Sequence, residues 1–99
     1  MEISIDGLYK AFDHRIRLGI MSALSVNDAL DFNSLKTLLN LTDGNLASHI
    51  KALEREQYIV AKKSFIDKKP NTKYEVTRAG RKAFELHLKA LEKLIKTQQ

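Results

Sequence analysis

The feature that most constrains this chain is a pair of short apolar patterns separated by about three residues. From Asn33 to Leu39, the residues Leu35, Leu38 and Leu39 form the buried face of one helix, with Asp31 or Asn33 as its cap. Asn40-Leu41-Thr42 interrupts the pattern. Beyond it Leu46, Ile50 and Leu53 recur at i, i+4 and i+7, and the Thr42 hydroxyl is placed to accept from the amide of Asn45. Helix, tight turn, helix is the arrangement that results.

The flanks extend this into one continuous architecture. Leu8, Phe12, Ile16, Ile20 and Leu24 recur every four residues, widened by Ala11 and Ala23, which predicts a first helix from about Ile5 to Leu24. Ala29–Phe32 reads as a very short strand. After the paired helices the period changes from helical to alternating: Tyr58–Ile66 and Thr72–Val76 are expected as strands, joined by a polar turn over Asp67–Asn71. Pro70 is assigned to that turn because proline cannot sit in a central strand. Thr77 caps a last helix to about Lys96, in which Phe84, Leu88, Leu91 and Ile95 are spaced 4, 3 and 4 apart. The expectation is a mainly α fold with a small β-hairpin, in the order α-α-α-β-β-α with a long C-terminal helix. It forms a single domain over 1–99.

Charge is unevenly distributed along this order. Residues 1–61 carry six Lys and Arg against eight Asp and Glu, whereas residues 62–99 carry eleven against four. A basic half of this kind suits a polyanionic partner. There are no cysteines, which removes disulfides and thiolate metal sites, and no apolar run is long enough to span a membrane. The first residues lack the basic start and apolar stretch of a signal peptide, so a cytoplasmic location is expected. His14, His49 and His87 do not combine with acids into a metal set. Asp13 and His14 are adjacent and diverge, and Glu85 and His87 lie on different helix faces. No nucleophile–base pattern, phosphate loop or HExxH motif occurs, so no enzyme, metal or cofactor is expected.

The stretch Asp43-Gly44-Asn45-Leu46-Ala47-Ser48-His49-Ile50-Lys51-Ala52-Leu53-Glu54 resembles the recognition helix of the short winged helix-turn-helix regulators of the ArsR/MarR-like superfamily. Arg15–Leu24 resembles the family's first helix. Tyr74-Glu75-Val76-Thr77-Arg78-Ala79-Gly80-Arg81 resembles its passage from wing to last helix. His14 departs from the pattern, which often has Pro there, and the thiolate metal box of many ArsR-type sensors is absent. The resemblance implies a homodimeric, sequence-specific double-stranded DNA-binding regulator, more often a repressor. Its recognition helix would span about 42–57, its wing about 58–76 and its dimerisation helix about 77–97. Over these 99 residues no separate ligand domain is expected, so any effector is expected at the dimer interface or the DNA face.

Site residues follow from helix and hairpin geometry. With Leu46, Ile50 and Leu53 facing the core, Gly44, Asn45, Ser48, Lys51, Ala52 and Arg55 point outward. Thr42 at the helix start and His49 at the border of the apolar face join them as DNA contacts. Lys62, Lys63, Lys68, Lys69 and Lys73 are expected to meet the phosphate backbone. Leu8, Phe12, Phe84, Leu88, Leu91 and Ile95 are expected at a dimer interface. The competing reading is a winged helix serving protein–protein assembly without DNA. The lysines of the hairpin argue against it.

Overall fold

Left-handed residues close both central helices. The computed structural model describes residues 3–97. Helix α2 (Phe32–Leu39) is capped at its start by Asp31, whose carboxylate accepts from the Ser34 amide at 2.7 Å. It ends at Asn40, which has φ 54°. There the amides of Asn40 and Leu41 donate back to the carbonyls of Thr37 and Lys36 at 3.3 and 3.0 Å. Asparagine tolerates this conformation better than other side chains with a Cβ. Thr42 then accepts from the Asn45 amide at 3.3 Å and starts helix α3 (Asp43–Arg55). Its far end repeats the closure, with Gln57 at φ 64° and the Tyr58 amide donating to Leu53 at 3.0 Å.

The first helix is shorter than its apolar period predicts. Gly7 has φ 90°, Lys10–Phe12 form a single 3₁₀ turn, and helix α1 (Arg15–Val26) begins only after His14. His14 is extended and its Nδ1 accepts from the Ile16 amide at 3.1 Å, so the helix starts where the side chain caps it. Phe12 still reaches the core, because the 3₁₀ turn returns it to the face that Ile16, Ile20 and Leu24 continue. The stripe was therefore real, but two elements share it.

Strand β1 (Leu30–Asp31) is two residues long and Phe32 belongs to α2, not to the strand. It pairs antiparallel with strand β3 (Lys69–Val76), which pairs in turn with strand β2 (Ile59–Ile66), giving the sheet order β1-β3-β2. The hairpin turn is only Asp67-Lys68, both left-handed, as a two-residue type I′ turn requires. Lys69, Pro70 and Asn71 are thus strand residues rather than turn residues. Pro70 lies opposite Phe65, one step from the closing Ile66–Lys69 pair. In a two-residue hairpin that is a non-hydrogen-bonded position, so the missing N–H points away from β2. It also points past β1, which reaches only Lys73 and Tyr74.

Helix α4 (Arg78–Lys96) starts at Thr77, whose hydroxyl oxygen accepts from the Gly80 amide at 2.9 Å. Only its first half is buried: Ala83, Phe84 and His87 pack inward, and beyond them the helix is exposed or half-exposed. Phe84 meets Phe12 edge-to-face with ring centres 5.4 Å apart. The core joins these two rings to the α1 stripe, Leu35 of α2, and Leu46, Ile50 and Leu53 of α3. The radius of gyration is 15.2 Å, against about 13 Å for a compact domain of this length. The hairpin and the end of α4 account for the excess.

Candidate nucleic-acid interface

Burial of Leu46, Ile50 and Leu53 turns one face of α3 outward, and it is the face expected. Thr42, Gly44, Asn45, Ser48, Lys51 and Arg55 are exposed and His49 is half-buried. No atom lies within 4 Å of where a Gly44 Cβ would stand, so the start of this helix is open to close approach. The Ser48 hydroxyl donates to the Asn45 carbonyl at 3.1 Å. With its proton engaged, Ser48 presents outward an acceptor oxygen, the complement of an adenine or cytosine amino group.

Four residues outside the expected set organise this face: Lys36, Asp43, Arg17 and His14. Lys36 of α2 lies 2.8 Å from the Asp43 carboxylate, which places a cation against the one acid at the start of α3. Arg17 of α1 donates through Nε to His49 Nδ1 at 3.1 Å and through Nη1 to the Ala11 carbonyl at 3.3 Å. Accepting at Nδ1 holds His49 neutral with its proton on Nε2. His49 lies below the ordinary histidine value because of burial, then the neighbouring His14 and Arg17. The His14 and His49 rings stack with centres 4.2 Å apart. The sequence carried Arg17 as a family match in the first helix. It gave no sign that Arg17 would span to α3, because the contact crosses 32 positions.

In the hairpin Lys62, Lys63, Lys68, Lys69 and Lys73 are all exposed. Lys62 and Lys73 are direct cross-strand partners. Like charges so placed repel, and Glu75, 3.4 Å from Lys62, offsets only part of this. The amide nitrogen of Asn71 is enclosed without a hydrogen-bond partner among the described residues. Among the described residues no group of three or more His, Asp or Glu could hold a metal, and no helix is long and apolar enough to cross a membrane.

The six residues expected at a dimer interface divide. Phe12 and Phe84 are enclosed by the chain's own core and are withdrawn from that surface. Leu8 and Leu91 are half-buried, while Leu88 and Ile95 are 45% and 59% exposed. A cavity of about 540 Å³ lies beside them, bounded by Leu8, Tyr9, Phe12, Arg15, His87 and Leu91 among others. His87 accepts the Tyr9 amide at Nδ1 (2.9 Å), and burial holds its pKa below the ordinary range against the opposing pull of Asp13.

Comparison with known proteins agrees with this geometry. Residues 16–95 match the family model described as a winged helix DNA-binding domain. The chain is 38% identical over 87 residues to a protein of Methanocaldococcus jannaschii described as uncharacterized, covering 88% of this chain and 95% of that one. It is similar to the structure of a transcriptional regulator homologue from Pyrococcus horikoshii, with TM-score 0.80 and 33% identity over 90% of this chain and 88% of the other. Bacillus subtilis PadR, solved in complex with operator DNA, shares the fold at TM-score 0.63 and 17% identity, over 75% of this chain and 46% of PadR.

Proposed function

The chain belongs to the winged helix DNA-binding domain family, and from that premise we propose that it is a homodimeric, sequence-specific transcriptional regulator acting as a repressor in the cytoplasm. The observation that carries this reading is the joint presentation of two chemically different surfaces. The outward face of α3 offers Gly44, Asn45, Ser48, Lys51 and Arg55, a set small enough for close approach and polar enough to read base edges in the major groove. The hairpin offers cations in mutual repulsion, suited to phosphates and carrying no sequence information of their own. His49, held neutral by Arg17, presents its Nε2–H as a phosphate donor at the border of the helix face.

Dimerisation supplies symmetry. Leu88, Leu91 and Ile95 on the outer half of α4, with Leu8 beside them, form the apolar surface that a second copy would cover. A two-fold dimer of winged helices meets two half-sites about one helical turn apart, and occupying such a site excludes polymerase. A cavity between residues 5–15 and α4 offers room for an effector. It is lined by Arg15 and Leu18 of α1 and by His87 and Leu91 of α4.

Selection of bound duplexes from a random-sequence pool tests the proposal. The expected result is enrichment of a two-fold symmetric motif with half-sites ~10–10.5 base pairs apart. Enrichment of no motif above the input pool would contradict sequence-specific binding.

A further inference from the structure

Of the eleven Lys and Arg in residues 62–99, five are the hairpin lysines and six lie on α4: Arg78, Arg81, Lys82, Lys89, Lys93 and Lys96. The function proposed above uses the first group and leaves the second idle. At about 3.6 residues per turn, all of the second group except Arg81 fall within about 60° of the helix circumference, in a stripe about 27 Å long. Every cation of the stripe is exposed. The stripe lies nearly opposite the buried Ala83, Phe84 and His87, and about a third of a turn from Leu88 and Ile95. A second copy covering that apolar row therefore leaves the cations open.

Helix chemistry alone does not account for the stripe. Cations stabilise the last turn of a helix and destabilise the first, so the macrodipole explains Lys93 and Lys96 but opposes Arg78 and Lys82. Arg78 with Lys82, and Lys89 with Lys93, are like charges at i, i+4, which repel. Acids flank one side only: Glu92 meets Lys96 at 2.8 Å, and Glu85 makes no ion pair among the described residues. A folded protein is a poor match, because its interfaces are depleted in lysine and enriched in aromatic anchors, and the stripe holds no aromatic residue. A row of exposed cations on a straight rod suits a phosphate backbone, whose contacts carry no sequence information.

The outer part of the stripe also stands far from the hairpin. The molecule is 60 Å long and 26 by 21 Å across. The projecting half of α4 adds about 14 Å to a core of that width, and the part of the hairpin that β1 leaves uncovered adds about 17 Å. Placed at opposite ends, these arms account for the length to within a few ångströms, whereas side by side they leave it about 17 Å short. Lys89, Lys93 and Lys96 thus stand at the end remote from the hairpin. Resting on the DNA-binding reading above, we propose that the outer face of α4 is a second, sequence-indifferent DNA site. Through it a molecule seated on its operator grips another duplex and bridges the two. Each α4 neutralises only a few phosphates, so this second hold is weak and falls with salt.

The test uses the full chain on bead-immobilised duplex carrying the selected half-sites, these in excess over protein, with a labelled duplex of unrelated sequence added in solution. The wild type is expected to hold the labelled duplex on the beads at low salt and to release it as salt rises. Replacing Lys82, Lys89 and Lys93 together by Gln is expected to lower the retained label by about tenfold or more, since one phosphate contact at about 0.1 M salt is worth close to that factor. Affinity of this variant for the half-site duplex, read by anisotropy, and its salt slope should be those of the wild type. Replacing the same three lysines by Arg keeps the charge and should keep the bridge. All three are exposed, so equal melting temperatures will show that the fold is intact. A wild type that holds its half-sites but retains no label, or a Gln variant that retains as much as the wild type, would overturn the bridge and leave DNA binding standing. A Gln variant weakened on the half-site duplex itself would put α4 on the same duplex as α3 and overturn the second site. A wild type that binds neither duplex at low salt would overturn both readings and assign the stripe to an acidic protein partner.

Discussion

Replacing Gly80 by alanine should cost this protein about 3 kcal/mol, and the reason is one close approach of main chains. A Cβ built on Gly80 would stand 2.0 Å from the Tyr58 carbonyl oxygen and within 3 Å of the Tyr58 carbonyl carbon and Cα. These are backbone atoms, so no side chain can swing aside. The first turn of α4 would have to lift from the start of β2 and Gly80 would have to leave its own cap, which puts three bonds at risk. The Thr77 amide donates to the Tyr58 carbonyl at 3.0 Å, the Thr77 hydroxyl donates to the Gln57 carbonyl at 2.7 Å, and the Gly80 amide donates to the Thr77 hydroxyl oxygen at 2.9 Å. At roughly 1 kcal/mol for each bond lost, cap included, the sum is about 3 kcal/mol. At about 4–8 °C per kcal/mol for a domain of this size, the melting temperature should fall by about 12–24 °C. Thermal unfolding followed by circular dichroism reads this directly. Gly44→Ala is the control, since nothing lies within 4 Å of its Cβ and alanine is the better helix former. Its stability should be unchanged or higher by up to about 1 kcal/mol, while its added methyl weakens DNA binding. A Gly80→Ala protein melting within about 4 °C of the wild type would refute the argument, because it would mean a loss of less than about 1 kcal/mol.

Replacing Lys68, Lys69 and Lys73 by alanine should weaken binding to all duplexes alike and flatten the salt slope by up to about 0.9 per phosphate contact removed. An unchanged slope by anisotropy would remove the hairpin from phosphate binding. Acidification should destabilise the fold through His87, whose pKa is lowered by burial. Because the folded value lies below the unfolded one, the unfolded chain takes up its proton first as pH falls. Stability is full above about pH 6.5 and declines below it until the folded form is protonated too. Urea unfolding between pH 5 and 8 should show this slope in the wild type and a smaller one in His87→Gln; equal slopes would exclude His87 as its source. Leu88→Glu should yield monomers by sedimentation, since it puts a charge into the outer apolar row of α4, whereas a dimer of normal stability would move the interface elsewhere.

The paired central helices were readable because their signals are local. Thr42 sits three residues before Asn45, Asp31 three before Ser34, and the apolar residues of α3 face inward at helical spacing. The division of the first stripe was not readable: Phe12 keeps the four-residue period across a break, and the break depends on Gly7 at φ 90° and on His14 acting as a cap. The strand role of Pro70 was hidden because it depends on register. A one-residue slip would bring its missing N–H into the ladder. Phe12 and Phe84 read as interface residues because spacing shows only that a face is apolar, and which partner covers it is settled by tertiary packing. The Arg17–His49 and Lys36–Asp43 contacts lie between helices, so no spacing within one helix could announce them. Gly80 was legible only as part of a resemblance, and the close approach to Tyr58 supplies its physical cause.

The most direct test of the account is the binding of purified protein to DNA from upstream of its own gene, against scrambled DNA of equal composition, by fluorescence anisotropy over a salt series. The account predicts preference for the upstream DNA, with log K falling linearly on log salt by about 0.9 for each phosphate contacted. Equal affinity for both duplexes at every salt concentration would contradict sequence reading by α3, and no binding to either at low salt would contradict the DNA-binding reading altogether.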